Sequence, residues 1–162
     1  MSILPLSKFP DDPVLRQKAK RVPAIDSSVL KLIDDMIETM QQSKGVGLAA
    51  PQVGISLRLI VLQMPGEEPF AMVNPEIVKK SGEQQVTEGC LSVPGYYGEL
   101  KRADKVTAKG LDRNGKEIRV KATGLLAEAL QHEIDHLNGV LYIDCIGETG
   151  KLYQFQNKTE QK

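Results

Sequence analysis

The strongest constraint on this chain is a pair of histidines four residues apart inside an apolar helical pattern. The segment Gln131-His132-Glu133-Ile134-Asp135-His136 reads H-E-x-x-H. On a helix, positions i and i+4 share a face, so both imidazoles can reach one ion. At roughly 100° per residue, Leu125, Leu126, Ala129, Leu130, His132, Glu133, Ile134, His136 and Leu137 fall in one arc of about 200°. Glu128, Gln131 and Asp135 take the remaining sector. Two histidines and a glutamate therefore lie on the packing side, although burying a carboxylate is costly. Either the histidines bond to backbone and Glu133 meets a basic side chain, or two neutral imidazoles hold a metal with Glu133 beside the water it activates. The chain has two histidines in all, so chance surface placement explains the spacing poorly.

A catalytic metal site of this type keeps three protein ligands and one open position. Cys90 is the candidate third ligand, within Glu88-Gly89-Cys90-Leu91-Ser92-Val93-Pro94-Gly95. Gly89 permits close backbone approach, and Pro94-Gly95 is expected to turn the chain. The competing role for Cys90, and the default one for Cys145, is a small buried apolar side chain. Two cysteines do not make a disulfide scaffold. The start, MSILPLSKFPDDP, lacks the basic-then-apolar pattern of an export signal, and no stretch approaches the ~18 apolar residues of a membrane span. A cytoplasmic protein without a membrane partner is expected. Lys+Arg and Asp+Glu both total 21, so net charge offers no case for nucleic-acid readout.

The 162 residues, 41% hydrophobic and 26% charged, suit one domain spanning 1–162. Residues 1–25 hold four of the nine prolines and are expected to form an extended arm with short turns. Asp26 or Ser27 caps a helix on which Val29, Ile33, Met36, Ile37 and Met40 recur, ending near Lys44-Gly45. GVGLAAPQVG at 45–54 is a small-residue loop. Leu57–Leu62 and Phe70–Val73 read as strands, and Val106, Ala108, Ile118, Val120 and Ala122 as a hairpin around an Asn114-Gly115 turn. A second helix runs from about Gly124 to Leu137 and stops at Asn138-Gly139. Leu141–Ile143 reads as one more short strand, and no element is expected in the polar tail, 147–162. The fold class is α+β: antiparallel strands packed around the buried helix that carries H-E-x-x-H.

Three segments, GVGLAAPQ at 45–52, EGCLS at 88–92 and QHEIDH at 131–136, stand in the order and approximate spacing of the peptide deformylases, which this chain resembles over most of its length. The resemblance implies that Cys90, His132 and His136 are metal ligands, that Glu133 is the general acid/base, and that the Gln52 amide and the Leu91 backbone N–H donate to the reacting carbonyl. It implies removal of the formyl group from the formyl-methionine N-terminus of nascent polypeptides, with a transient contact to the ribosome as a further implied partner. One divalent ion per chain is expected, ferrous iron first, with zinc, nickel and cobalt open to the same donor set. For the methionine side chain, Leu125 and Ala129 share the histidine face, Val46 offers an opposing wall, and Gly45 and Gly47 leave room for substrate backbone.

Three departures from many relatives stand out: Gly95-Tyr96-Tyr97-Gly98 where a Glu and an Arg are usual, Glu128 where an Arg or apolar residue is usual, and a short polar C-terminus. Two rivals remain open. A zinc peptidase shares H-E-x-x-H but usually adds a downstream ligand. A structural metal module would close the shell with a fourth ligand, for which Cys145 or Asp135 is available.

Overall fold

A computed structural model describes residues 2–147 and 150–154. Helix α1 (Ser27–Gln42) begins where the Asp26 carboxylate accepts from the Val29 N–H, satisfying one of the donors a helix start leaves free. Strands β1 (Gly47–Ala49), β2 (Leu59–Leu62) and β3 (Phe70–Ser81) follow, then β4 (Gln84–Cys90), β5 (Val93–Arg102), β6 (Lys105–Leu111) and β7 (Glu117–Thr123), helix α2 (Gly124–Leu137) and β8 (Lys151–Gln154). The strands form two sheets, β1-β2-β3-β6-β7 and β4-β5-β8, with antiparallel neighbours throughout.

β2 reads LIVL without a polar residue and all four side chains are buried, because both faces of the larger sheet are covered there. Leu59 and Val61 pack with Val29, Ile33, Met36 and Met40 of α1. Ile60 and Leu62 pack with Ala127, Leu130, Ile134 and Leu137 of α2. The smaller sheet carries its own apolar cluster of Val86, Val93, Leu100, Leu141 and Tyr142. No helix among the described residues is long and apolar enough to cross a membrane.

Both helices, the β2 and β3 strands and the β6–β7 hairpin agree with the sequence pattern. Several local expectations need correction. The hairpin loop is longer than an Asn-Gly turn: Asp112 closes it by donating its N–H to the Lys116 carbonyl, while its side chain accepts from the Asn114 and Lys116 N–H groups. Pro94 and Gly95 do not turn the chain but lie inside β5; the reversal is at Leu91-Ser92, with a register shift at Gly89/Cys90. Leu141–Ile143 is not a strand, since Tyr142–Cys145 coils into a 3-10 turn in which the Asp144 carboxylate accepts from the Leu141 N–H.

The polar tail does form an element where it is described, because β8 pairs with β5 and Tyr153 stacks on Tyr97 with ring centroids 5.1 Å apart. Residues 148–149 and 155–162 of that tail lie outside the described residues. The N-terminal arm is extended apart from a turn closed by the Asp12 N–H on the Lys8 carbonyl and a 3-10 turn at Pro13–Arg16. It is tied down by its own N–H groups: Ser7 donates to the Gln52 carbonyl and Phe9 to the Ser92 carbonyl, each at 2.7 Å.

Two glycines separate backbone conformation from crowding. Gly115 (φ +82°) and Gly139 (φ +74°) both adopt the left-handed region, but a Cβ at 115 would enter open space and one at 139 would meet the Arg16 carbonyl oxygen at 2.7 Å. Gly115→Ala is expected to cost about 1 kcal/mol, from backbone strain alone. Gly139→Ala should cost roughly 2–3 kcal/mol or more, because the clash adds to the strain. Urea midpoints at unchanged slope check this; equal costs would show that the contact with Arg16 is soft.

Candidate active site

α2 brings His132 and His136 to one side, and the end of β4 delivers Cys90 against them. The Cys90 Sγ lies 3.5 Å from the His136 Nε2, which lies 3.3 Å from the His132 Nε2. All three donor atoms fall within 4.8 Å of one another. Around one ion in a tetrahedral arrangement, with bonds of about 2.0–2.3 Å, sulfur and nitrogen donors stand roughly 3.3–3.6 Å apart. The donor set therefore fits a single soft-to-borderline cation. Among the described residues the group holds three donors and no fourth. Asp135 is engaged elsewhere, its Oδ2 accepting from Arg102 at 2.7 Å, and the Cys145 Sγ sits 3.8 Å from that same carboxylate. A shell closed by either residue, as a structural module would require, is not formed.

The imidazoles are held from behind. The His132 Nδ1 faces the Glu88 Oε1 at 2.7 Å, which places the proton on Nδ1 and leaves the Nε2 lone pair toward Cys90 and His136. Glu88 is buried and clamped by Arg102, with Nε to Oε2 at 2.8 Å and Nη2 to Oε1 at 2.9 Å. Burial alone would raise the Glu88 carboxyl, but the bonds from Arg102 and His132 outweigh it and bring its pKa down to about 2. Burial likewise opposes a proton on His132, yet the Glu133 charge, the Cys90 sulfur and Glu88 push its pKa up. Positive charge is favoured at this point, and a divalent ion competes with a proton for it. His136 is fully buried and pushed down by that burial, so its ring stays neutral and able to ligate.

Glu133 is also buried, and its Oε1 has no hydrogen-bond partner among the described residues. Desolvation raises its pKa to about 7, against the opposing pull of His132. A carboxyl so placed can take and return a proton near neutrality. Gly47 makes that position possible, since a Cβ there would come within 2.7 Å of the Glu133 Oε2. The expectation that this glycine serves substrate backbone is joined by a clearer reason: it admits the carboxylate.

A hollow of about 320 Å³ opens over these groups, lined by Val46, Gly47, Gln52, Cys90, Leu91, Leu125, Ala129, His132 and Glu133. Every residue given a catalytic, ligand or substrate-pocket role from the sequence therefore lines one cavity, except His136, which is fully buried; Asp135 and Cys145, the possible fourth ligands, lie outside it. Gln52 is buried in the 3-10 turn Ala50–Val53. Its Oε1 accepts from the Ala49 N–H at 2.9 Å and its Nε2 donates toward the Cys90 Sγ and Ser92 Oγ, both at 3.4 Å. Leu91 is 40% exposed at the β4–β5 reversal.

The chain matches the family model described as polypeptide deformylase over residues 3–151. A peptide deformylase of Dehalococcoides mccartyi strain CBDB1 is 58% identical over 95% of this chain and 92% of its own length. The enzyme of that name from Halothermothrix orenii is 54% identical over 93% and 98%. The chain belongs to the polypeptide deformylase family. Among solved structures, a peptide deformylase from Legionella pneumophila superposes with a TM-score of 0.86 at 51% identity, covering 90% of this chain and 87% of that one. One from Synechococcus elongatus, in complex with actinonin, gives 0.86 at 45% identity over 90% and 80%.

In this family member the residues that carry no signal in the sequence are those behind the three donors. Glu88 lies in the segment before Cys90 with nothing in the sequence to mark it as a support, and Arg102 has no local signal. The polar sector of α2 is also drier than its composition implies. Gln131 is buried, bonding the N–H and carbonyl of Ala103 and the Ala127 carbonyl. Glu128 forms part of the hollow's wall, its pKa raised to about 7 by burial and by the Glu88 charge. Of Gly95-Tyr96-Tyr97-Gly98, the last three belong to the stretch of β5 that pairs with β8.

Glu88→Gln keeps the shape but weakens the acceptor behind His132 and strands Arg102. Metal affinity, measured by competition with a chelator, is expected to fall about 10–100-fold. Unchanged affinity would show that Glu88 does not tune the ligand.

Proposed function

We propose that the hollow carries out hydrolysis of the formyl group from the formyl-methionine N-terminus of nascent polypeptides, releasing formate. Cys90, His132 and His136 hold one divalent ion, with ferrous iron as the native metal. When bound, the ion supplies Lewis acidity, polarising the formyl carbonyl and making a water acidic enough to act near neutral pH. Val46, Gly47, Leu125 and Ala129 take the methionine side chain in the hollow, and the small Ala129 leaves depth for a long unbranched group.

Glu133 accepts a proton from the attacking water as its oxygen bonds to the formyl carbon. The Gln52 amide and the Leu91 N–H donate to the carbonyl oxygen as negative charge develops there; one such donor is typically worth ~10²–10³ in rate. The carbon–nitrogen bond then breaks, and Glu133 hands its proton to the departing amine. The products are formate and a free methionine N-terminus, so atoms and charge balance without another reactant. A cytoplasmic location and a transient contact with the ribosome fit a substrate that exists only while chains are being made.

The observation that carries this reading is the convergence of three donor atoms within 4.8 Å of one another beside a buried carboxylate oxygen that has no partner among the described residues. Glu133→Ala is expected to retain stoichiometric metal in protein purified without oxygen and to lose about 10²–10⁴ in turnover. Cys90→Ser should instead lose the metal. Formate release from formyl-Met peptides reads the first variant and metal analysis the second. An active Glu133→Ala protein sinks the role of that carboxylate, and cleavage of internal peptide bonds alone sinks the reaction.

A further inference from the structure

The sheet face covered by α1 is covered at one end only. α1 packs on β2 and the start of β3, and beyond it the face continues over the end of β3 and the β6–β7 hairpin. There the pairing sets Lys79 opposite Thr107 and Ser81 opposite Lys105, and Thr107 opposite Lys121, Lys105 opposite Thr123 and Lys109 opposite Arg119. Strand alternation sends Ile118, Val120 and Ala122 to the opposite face, against the core. The open face holds a hollow of about 560 Å³ whose charged lining is Lys79, Lys105, Arg119 and Lys121, with no carboxylate. None of these four makes an ion pair among the described residues, whereas Lys109 at the edge stands 4.0 Å from Glu76. No two of these four stand directly opposite each other, but they occupy diagonal or next-nearest positions on neighbouring strands with no acid in the lining, so the hollow concentrates positive charge that favours a polyanion.

We propose that this open face of β3, β6 and β7 binds the sugar-phosphate backbone of double-helical RNA. The lysines stand on diagonal positions of adjacent strands or two strands apart, roughly 7–10 Å, with hydroxyls of Ser81, Thr107 and Thr123 between them. Lysine, arginine, serine and threonine are the side chains that contact phosphate and sugar oxygens, and such contacts position a protein without reading sequence. The lining has no aromatic ring on which unpaired bases would stack, which favours a duplex over a single strand. A bilayer fits less well: the site is a hollow, and its exposed large apolar side chain is Val78, 40% exposed, too little to insert. The choice of RNA over DNA rests on the proposed function, since nascent chains emerge from RNA-rich machinery.

The test is fluorescence anisotropy of a labelled RNA hairpin against the full chain across a salt series, with a DNA hairpin of the same sequence and phosphatidylserine vesicles as further arms. Lys79→Glu/Lys105→Glu/Lys121→Glu is compared with Lys18→Glu/Lys20→Glu/Arg21→Glu, which changes net charge equally on exposed residues elsewhere. The wild type should bind RNA at low salt, and the first variant should lose at least about tenfold and flatten the log–log salt slope by roughly 2–3. The second should stay near wild type, and both should hydrolyse a short formyl-Met peptide normally. No RNA binding, equal loss in both variants, tighter binding to the DNA hairpin, or binding to vesicles instead would each overturn the proposal. If the triple variant fails to fold, Lys79→Glu and Lys121→Glu singly should each flatten the slope by about 1, and an unchanged slope overturns it equally. The peptide assay is separate from the binding assay, so a failure of the proposed reaction is distinguished from a failure of this surface.

Discussion

The arrangement depends on one buried carboxylate. Glu88 accepts from Arg102 through both oxygens and from the His132 ring through Oε1, and the third nitrogen of the same guanidinium reaches Asp135. Arg102 and Glu88 side chains are 5% and 3% exposed. A pair so dry gains little net stability from its mutual attraction, because desolvating both ions offsets it, yet removing one partner leaves a buried charge and typically costs about 3–5 kcal/mol. Its value is geometric. The bidentate fork fixes the Glu88 plane, Glu88 fixes the tautomer and tilt of His132, and Asp135 ties the same arginine to α2 one residue before His136. A single guanidinium on β5 thereby registers the helix that carries two of the converging donors against the strand that ends in the third.

The surrounding fold fixes the remaining degrees of freedom. β2 is buried on both faces, so α1 and α2 are held on opposite sides of the larger sheet while the smaller sheet closes over α2 from the far side. The N-terminal arm then crosses both loops that face the hollow, binding the carbonyls of Gln52 and Ser92. Ser92 also faces the Gln52 amide from its hydroxyl. The two loops that carry Gln52 and follow Cys90 are thus tied to one arm through their backbone and to each other through their side chains. That is how a site on loops acquires the positional tolerance catalysis requires.

How much of this is legible in the sequence follows from how local each signal is. The helix that bears His132 and His136 is written in its own periodicity, and capping at Asp26 is a contact over three residues. β4 and β5 are nearly invisible because their inward positions are partly polar. Glu88 faces in as part of the network, and Pro94, Gly95 and Gly98 interrupt β5. β8 exists because of a partner strand and the Tyr97–Tyr153 stack rather than any pattern of its own. The cationic face is hidden by bookkeeping over the whole chain: equal numbers of acids and bases describe the sum, while pairing brings Lys79, Lys105 and Lys121 together from three strands. Site residues in contiguous motifs could be read; Arg102, whose meaning lies in Glu88 fourteen positions away and Asp135 thirty-three away, could not.

The pattern of polar satisfaction on α2 separates support from chemistry. Gln131 spends its amide on Ala103 and Ala127, Asp135 on Arg102, and the Nδ1 of His132 on Glu88. On the face toward the hollow the Glu133 Oε1 and the Nδ1 of His136 are buried without a partner among the described residues. Buried groups left unpaired cost roughly 1–3 kcal/mol each, and a helix that satisfies its other polar side chains so completely could have placed apolar residues at these two positions. Gly47 widens the contrast, since it removes even the methyl group that would have displaced the Glu133 carboxylate. Both atoms belong to residues of the site itself, so the partner that suits Glu133 is what the hollow receives, a water placed for proton transfer beside an imidazole that Glu88 already orients.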